Sequence, residues 1–290
     1  MGLFSKNSLR EKRAKKASEK RKHHSTRAEY LLNDATPFDV TEAFRNLKAT
    51  ISVSVPKKEG GLAIMTTSAF PEDGKTTITV NLALMFAQSD TKVLLIDADI
   101  RKGRVAKYFK QKSVPGLSDC LSGQNTLEEV VHVSHVNKNL SYITCGTHSP
   151  KPYELLESEE MHNLLIQLRT QYDYIIIDTP PVLLLSDALA LSSEVDGAVL
   201  VCRHQVSFIS DIERALETLK FSKTNILGVV INDYKAQQTS GYYGGYKKYY
   251  YYSSYSYGST NPYDRADTDD TDESKAVQPA ENTESSPENA

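Results

Sequence analysis

Cysteine is scarce in this 290-residue sequence: Cys120, Cys145 and Cys202 lie far apart, without paired spacing. That argues against a disulfide framework and a thiolate zinc site. It fits a reducing cytoplasm in which the three thiols pack as buried side chains. Long apolar runs are lacking too, and no stretch approaches the roughly 18–20 residues that a membrane-spanning helix needs. The basic N-terminus is not followed by the apolar segment of a signal peptide. Met1-Gly2 begins a myristoylation pattern, but Lys6 stands where that pattern wants Ser or Thr. The net charge is small, -3, yet it is sorted to the two ends. Residues 1–28 carry ten Lys/Arg against two acids, and residues 264–290 carry nine Asp/Glu against two basic residues.

What is present is one sizeable core. The apolar fraction is 39%, enough for a single large domain. Five regions follow: a basic flexible arm, 1–28; an N-terminal helix and linker, 29–60; an α/β domain, 61–234; a tyrosine-cluster tail, 235–263; and an acidic tail, 264–290, expected to be disordered. A helix is predicted from Asp39, with Glu42 three residues on as a capping box and Phe44, Leu47 and Ile51 on one face.

Strands are predicted at 62–66, 93–96, 140–143, 174–177, 197–201 and 226–231. Helices are predicted through Ala87 and at 128–133, 159–171, 187–193 and 210–221. Near-continuous aliphatic strands alternating with helices indicate a mostly parallel sheet covered on both faces.

Three segments carry chemistry. Ala69-Phe-Pro-Glu72-Asp73-Gly74-Lys75-Thr76-Thr77 lies between a predicted strand and a predicted helix. Backbone N–H groups there would cradle phosphates, Lys75 would reach the β- and γ-phosphates, and the Thr76 hydroxyl would ligate Mg²⁺. Ala69 occupies the place of that motif's first Gly. Second, Asp97-Ala-Asp99-Ile-Arg101 ends a strand, and two carboxylates two residues apart on an extended chain point to the same side. There they would hold Mg²⁺ and orient or deprotonate a hydroxyl. Third, Tyr174-Ile-Ile-Ile-Asp178-Thr-Pro-Pro delivers a carboxylate to the same sheet edge, also for Mg²⁺. Arg101 is expected to neutralise charge nearby, and Asn232, after the last strand, to touch adenine. The fold expected is therefore that of a P-loop NTPase with ATP and Mg²⁺ as cofactors.

These segments, with Glu42-Ala-Phe-Arg45-Asn-Leu-Lys48, Gly116-Leu-Ser-Asp-Cys-Leu-Ser-Gly123 and Pro150-Lys-Pro-Tyr-Glu-Leu-Leu156, resemble the bacterial tyrosine kinases of exopolysaccharide and capsule export. The resemblance runs from about Glu42 to Tyr263. It implies ATP-dependent autophosphorylation between subunits of a ring, with Glu42, Arg45 and Lys48 in the ring contact. Lys48 stands where that motif has Arg, which loses a bidentate fork, and Lys151 replaces an Asn. Related partition and division-site ATPases carry an extra lysine at the position of Phe70, so that reading loses its signature residue.

Tyr242, Tyr243, Tyr246, Tyr249, Tyr250, Tyr251, Tyr252, Tyr255 and Tyr257 are the expected phosphoacceptors, with Tyr263 just beyond. A flexible segment can present such hydroxyls in turn. The resemblance further implies a transmembrane activator that recruits the chain to the inner membrane face, and a cognate phosphotyrosine phosphatase. Binding of nucleic acid is not expected, because the acidic tail repels phosphates. The basic arm has three readings: anionic lipid, an acidic partner segment, or plain solvation. Asp97 and Asp99 both stand as candidate bases. The rival to an autokinase is a non-catalytic ATP-binding switch that assembles an export complex.

Overall fold

The structure, a computed structural model, describes residues 27–234 except 57 and 89. Most of the basic arm, the tyrosine cluster and the acidic tail therefore lie outside the described residues.

A short 3-10 turn at Arg27–Tyr30 leads to α1 (Phe38–Ser54), β1 (Leu62–Ser68), α2 (Lys75–Ala87) and β2 (Val93–Asp97). Three short helices follow, α3 (Val105–Tyr108), α4 (Leu117–Leu121) and α5 (Leu127–Val130), then β3 (Val131–Val133) and β4 (Leu140–Ile143). The rest is α6 (Pro152–Leu156), α7 (Glu159–Arg169), β5 (Tyr174–Asp178), α8 (Asp187–Ala190), β6 (Gly197–Arg203), α9 (Ile209–Phe221) and β7 (Ile226–Asn232). The seven strands run in the order β3-β4-β2-β5-β1-β6-β7, parallel except for β3 against β4.

The aliphatic strands take this arrangement because both faces are covered. One core packs α7 and α9 residues such as Leu165, Leu168, Ala215 and Leu219 against Met65, Ile96 and Ile177. The other packs Leu82, Phe86, Tyr108 and Tyr142 against Ile64, Leu95 and Ile176. Helix α2 is buried along its whole length apart from Thr77. It lies between the sheet and α1, which lays Phe44, Leu47 and Ile51 toward the interior as the apolar spacing predicts. Its burial fixes the phosphate-loop end of α2 against the carboxyl ends of β1 and β5, where ligands bind in such sheets.

Two local expectations differ. Helix α1 begins at Phe38 after Pro37, with no side-chain cap, so Asp39 sits in its first turn instead of capping it. Pro37 supplies a preset φ and lacks the N–H that a preceding turn would use. The helix expected over 128–133 is a single turn. Glu129 accepts from the Thr126 N–H at 2.9 Å, after which Val131-His132-Val133 pairs antiparallel with Ile143-Tyr142-Ser141. The open edge of β4 offers backbone partners that a β-branched pair takes up readily. The sheet is accordingly parallel with one antiparallel edge strand.

Candidate active site

Strand β1 ends in Thr66-Thr67-Ser68, and the loop that follows returns into α2 through Gly74. Gly74 has φ 92°, a left-handed value that costs glycine little. A Cβ there would stand 1.9 Å from Asn232 Nδ2. Asn232 itself donates to the Asp73 carbonyl at 2.9 Å. Asp73 is fully buried and accepts from the Ser207 hydroxyl at 2.9 Å and the Phe70 N–H at 3.3 Å. Arg203 donates to the Glu72 carbonyl at 3.3 Å and pairs with Asp233 at 3.0 Å. Ala69 is buried in the core. Ala69, Asp73 and Asn232 thus hold the loop from behind, while Glu72, Gly74, Lys75, Thr76 and Thr77 face an open cavity of about 980 Å³.

Lys75 is the charge at the centre. Its Nζ lies 3.3 Å from both Asp178 oxygens and 3.5 Å from Asp99 Oδ2. Burial alone would lower its pKa, but the Asp178, Asp99 and Asp97 carboxylates together raise it, so Lys75 stays charged. Thr76 donates to Asp178 Oδ2 at 2.7 Å, and Thr79 stands 3.2 Å from Asp178 Oδ1. Thr79 in turn meets Thr66 of β1. Asp178 is therefore ringed by Lys75, Thr76 and Thr79. These contacts follow from register: β5 lies between β1 and β2, with Asp178 beside Thr66 and Asp97.

Asp97 ends β2 and Asp99 follows it, and both carboxylates act on Lys75. The strand stops at Asp97, and the chain turns at once, the Lys102 N–H bonding the Asp99 carbonyl at 3.1 Å. Alternation by two ends where the extended chain ends. Asp97 is fully buried and accepts from the Asp99 N–H at 3.3 Å and the Val105 N–H at 2.9 Å. Asp99 lines the cavity and Asp97 does not. Burial, then the neighbouring Asp178, pushes Asp97 up to about 8. Asp178 is also raised, by burial, although Lys75 and Thr76 oppose the shift.

Arg101 lines the cavity, but its guanidinium forms a two-bond pair with buried Asp187, at 2.7 and 3.1 Å. On α1, Arg45 pairs with Glu42 one turn away. Lys48 donates to the Met85 carbonyl at 3.2 Å, above the Phe86 ring, so it is packed against α2 of its own chain.

A family model described as an AAA domain matches residues 73–227. The tyrosine-protein kinase YwqD of Bacillus subtilis is 37% identical over 206 residues, covering 70% of this chain and 86% of the relative. The chain belongs to the bacterial tyrosine-kinase family. The solved kinase domain of the Escherichia coli tyrosine kinase ETK superposes with a TM-score of 0.62 at 34% identity, covering 70% of this chain and 80% of that one. A Pyrococcus horikoshii septum-site protein MinD, solved with Mg-ADP, shares the fold at 25% identity and a TM-score of 0.52, over 60% and 71% of the two chains. Other curated relatives are much longer: the chain spans 27% of the tyrosine-protein kinase of Acinetobacter johnsonii, at 35% identity over 69% of this chain.

Within this kinase-family site, several working residues gave no signal in the sequence. Thr66 and Thr79 brace Asp178, Arg203 and Ser207 brace the loop, and Asp187 holds Arg101; only folding brings them near. Tyr108 also belongs here, its hydroxyl 2.6 Å from that of Thr77. The clearest overlooked signal was charge. Residues 100–118 contain six Lys/Arg and no acid, and five of them, Arg101, Lys102, Arg104, Lys107 and Lys110, line the cavity together with Arg27. Eight cations and two acids face it in all.

The buried acids make stability depend on pH. A carboxyl raised from its unfolded value of about 4 to about 8 contributes stability that is full below about pH 4 and is lost as pH rises toward 8. Asp178 acts in the same direction, and Lys75 remains charged throughout that window. The nucleotide-free, magnesium-free protein is therefore expected to melt at a lower temperature at about pH 9 than at about pH 6. Asp97→Asn should flatten that slope, as thermal melts across the range will measure.

Proposed function

We propose that this chain is an ATP-dependent protein-tyrosine autokinase that phosphorylates Tyr242–Tyr257 of a neighbouring copy. In this reading it regulates exopolysaccharide or capsule synthesis and export. One observation carries the proposal: a lysine-bearing phosphate loop opens onto a cavity lined by cations, with a single carboxylate, Asp99, positioned near Lys75 inside it.

The loop N–H groups and Lys75 bind the nucleotide phosphates and orient the γ-phosphoryl group for in-line transfer. Asp99 accepts the proton of the incoming tyrosine hydroxyl. Asp97, outside the cavity, acts on position only: it ties the turn bearing Asp99 to the Val105 N–H. Lys75 faces the charge that builds up on the phosphoryl oxygens, and such preorganised cations are the largest single source of rate in sites of this kind.

The donor set fits Mg²⁺, with a hard hydroxyl on Thr76 and hard carboxylates on Asp99 and Asp178. Among the described residues no three acidic, His or Cys side chains form a cage of their own. When bound, Mg²⁺ would be held by Thr76, Asp99 and Asp178 and would neutralise phosphate charge.

No helix among the described residues is long and apolar enough to cross a membrane. We place the chain at the inner membrane face through a separate transmembrane activator, as part of a ring formed with Glu42 and Arg45, and opposed by a phosphotyrosine phosphatase. The test is direct: incubate the purified full-length chain with Mg-ATP, with and without the activator's cytoplasmic segment, and map phosphate by intact mass and peptide sequencing. Phosphate on the cluster, increased by the activator, is the expected result. Nucleotide-dependent assembly with no added mass would favour the non-catalytic switch instead.

A further inference from the structure

The wall of the cavity built by residues 101–110 carries more positive charge than the phosphate loop has use for. None of Lys102, Arg104, Lys107 and Lys110 shares an ion pair with a described residue. Lys102, Lys107 and Lys110 are exposed, yet the backbone beneath them is fixed. Val105 and Tyr108 are fully buried; the Val105 N–H bonds Asp97, and the Tyr108 hydroxyl meets Thr77 at the start of α2. The backbone that carries these charges is thus held at a constant position relative to Lys75 and Asp99. Like charges gathered on a rigid surface repel one another, a cost that a polyanionic partner relieves.

The chain itself contains such a partner. Asp264 directly follows Tyr263, and residues 264–273 hold six acids and one arginine. We propose that the 101–110 wall is the acceptor-docking site, and that it binds the acidic segment 264–273 of a second copy, setting the preceding tyrosines toward Asp99. This deepens the kinase reading above and rests on it: the substrate class becomes tyrosine peptides followed by a run of carboxylates. Exposed ion pairs are individually weak. Several engaged together give a preference of about tenfold that salt screens, since the Debye length is about 10 Å at 0.1 M.

Two peptides decide it, both covering residues 249–273: the natural sequence, and one with the six acids replaced by Asn or Gln. Each is offered in large excess to the full-length chain with Mg-ATP. The natural peptide is expected to show a KM at least about tenfold lower, with similar kcat and a gap that narrows as salt rises. In Lys107→Gln/Lys110→Gln the two KM values should converge. Equal KM values in the unaltered chain, or a gap that persists in the double variant, would overturn the proposal. Fluorescence anisotropy of the labelled peptides with a non-hydrolysable ATP analogue reads docking without transfer. Tight binding of the natural peptide alone, with neither peptide phosphorylated, would support the docking site and sink the kinase reading. Equal binding of both peptides would sink the docking site alone.

Discussion

Lys75→Met is expected to reduce ATP-dependent tyrosine phosphorylation to background while leaving a folded protein. Lys75 is the cavity cation nearest the acids, 3.3 Å from Asp178 and 3.5 Å from Asp99. Methionine keeps the apolar stem in its buried channel and removes only the charge. Loss of one preorganised group facing developing charge costs roughly 100- to 1,000-fold in rate, and here the same group also binds the phosphates. The substitution leaves Asp178 with the Thr76 and Thr79 hydroxyls and no cation. Breaking a buried pair costs about 3–5 kcal/mol when the remaining charge stays ionised, but Asp178, already raised by burial, can take up a proton instead. The variant should therefore lose more thermal stability at about pH 8 than at about pH 5. Phosphotyrosine immunoblots report activity, and melts at the two pH values separate it from folding. Undiminished labelling would leave the mechanism without its central charge.

The second large effect concerns the acceptor. Replacing Tyr242, Tyr243, Tyr246, Tyr249, Tyr250, Tyr251, Tyr252, Tyr255 and Tyr257 by Phe removes nine hydroxyls and leaves the cavity unaltered. Self-labelling should fall by at least about tenfold, with ATP affinity retained. The informative step is mixing. The Lys75→Met chain has acceptors without a working site, and the nine-Phe chain has a site without acceptors. Transfer between copies predicts that the Lys75→Met chain is silent alone, that the nine-Phe chain labels itself only weakly, and that together they label the Lys75→Met chain. Because the acceptor must diffuse to a neighbour, the rate should rise with total protein concentration. A mixture that stays silent while the unaltered chain labels itself would mean that transfer occurs within one copy.

Much of this architecture was legible in the amino acids because parallel strands buried on both faces must be aliphatic throughout. The runs at Leu62, Val93, Tyr174 and Gly197 announced themselves for that reason. The loop ending in Gly74-Lys75-Thr76 was legible because phosphate binding demands those side chains at that spacing. Short elements were not. The Val131–Val133 strand looked helical, since only the open edge of β4 makes it extended. That Asp99 lines the cavity while Asp97 is fully buried beside it was not legible, because alternation by two says nothing of where a strand stops.

The chemistry of the site therefore divides in two. Local sequence alone determined which residues bear charge, hydroxyl or backbone freedom: Lys75, Thr76, Gly74, and the acids at 97, 99 and 178. The tertiary structure decided their order around the cavity. Register across β1, β5 and β2 set Asp178 beside Thr66 and Asp97, the turn after β2 brought Asp99 into the cavity and kept Asp97 out of it, and packing of α3 turned a basic stretch into a wall. These are relations between segments distant in sequence, set by hydrogen-bond registry and shared burial, and no local pattern encodes them.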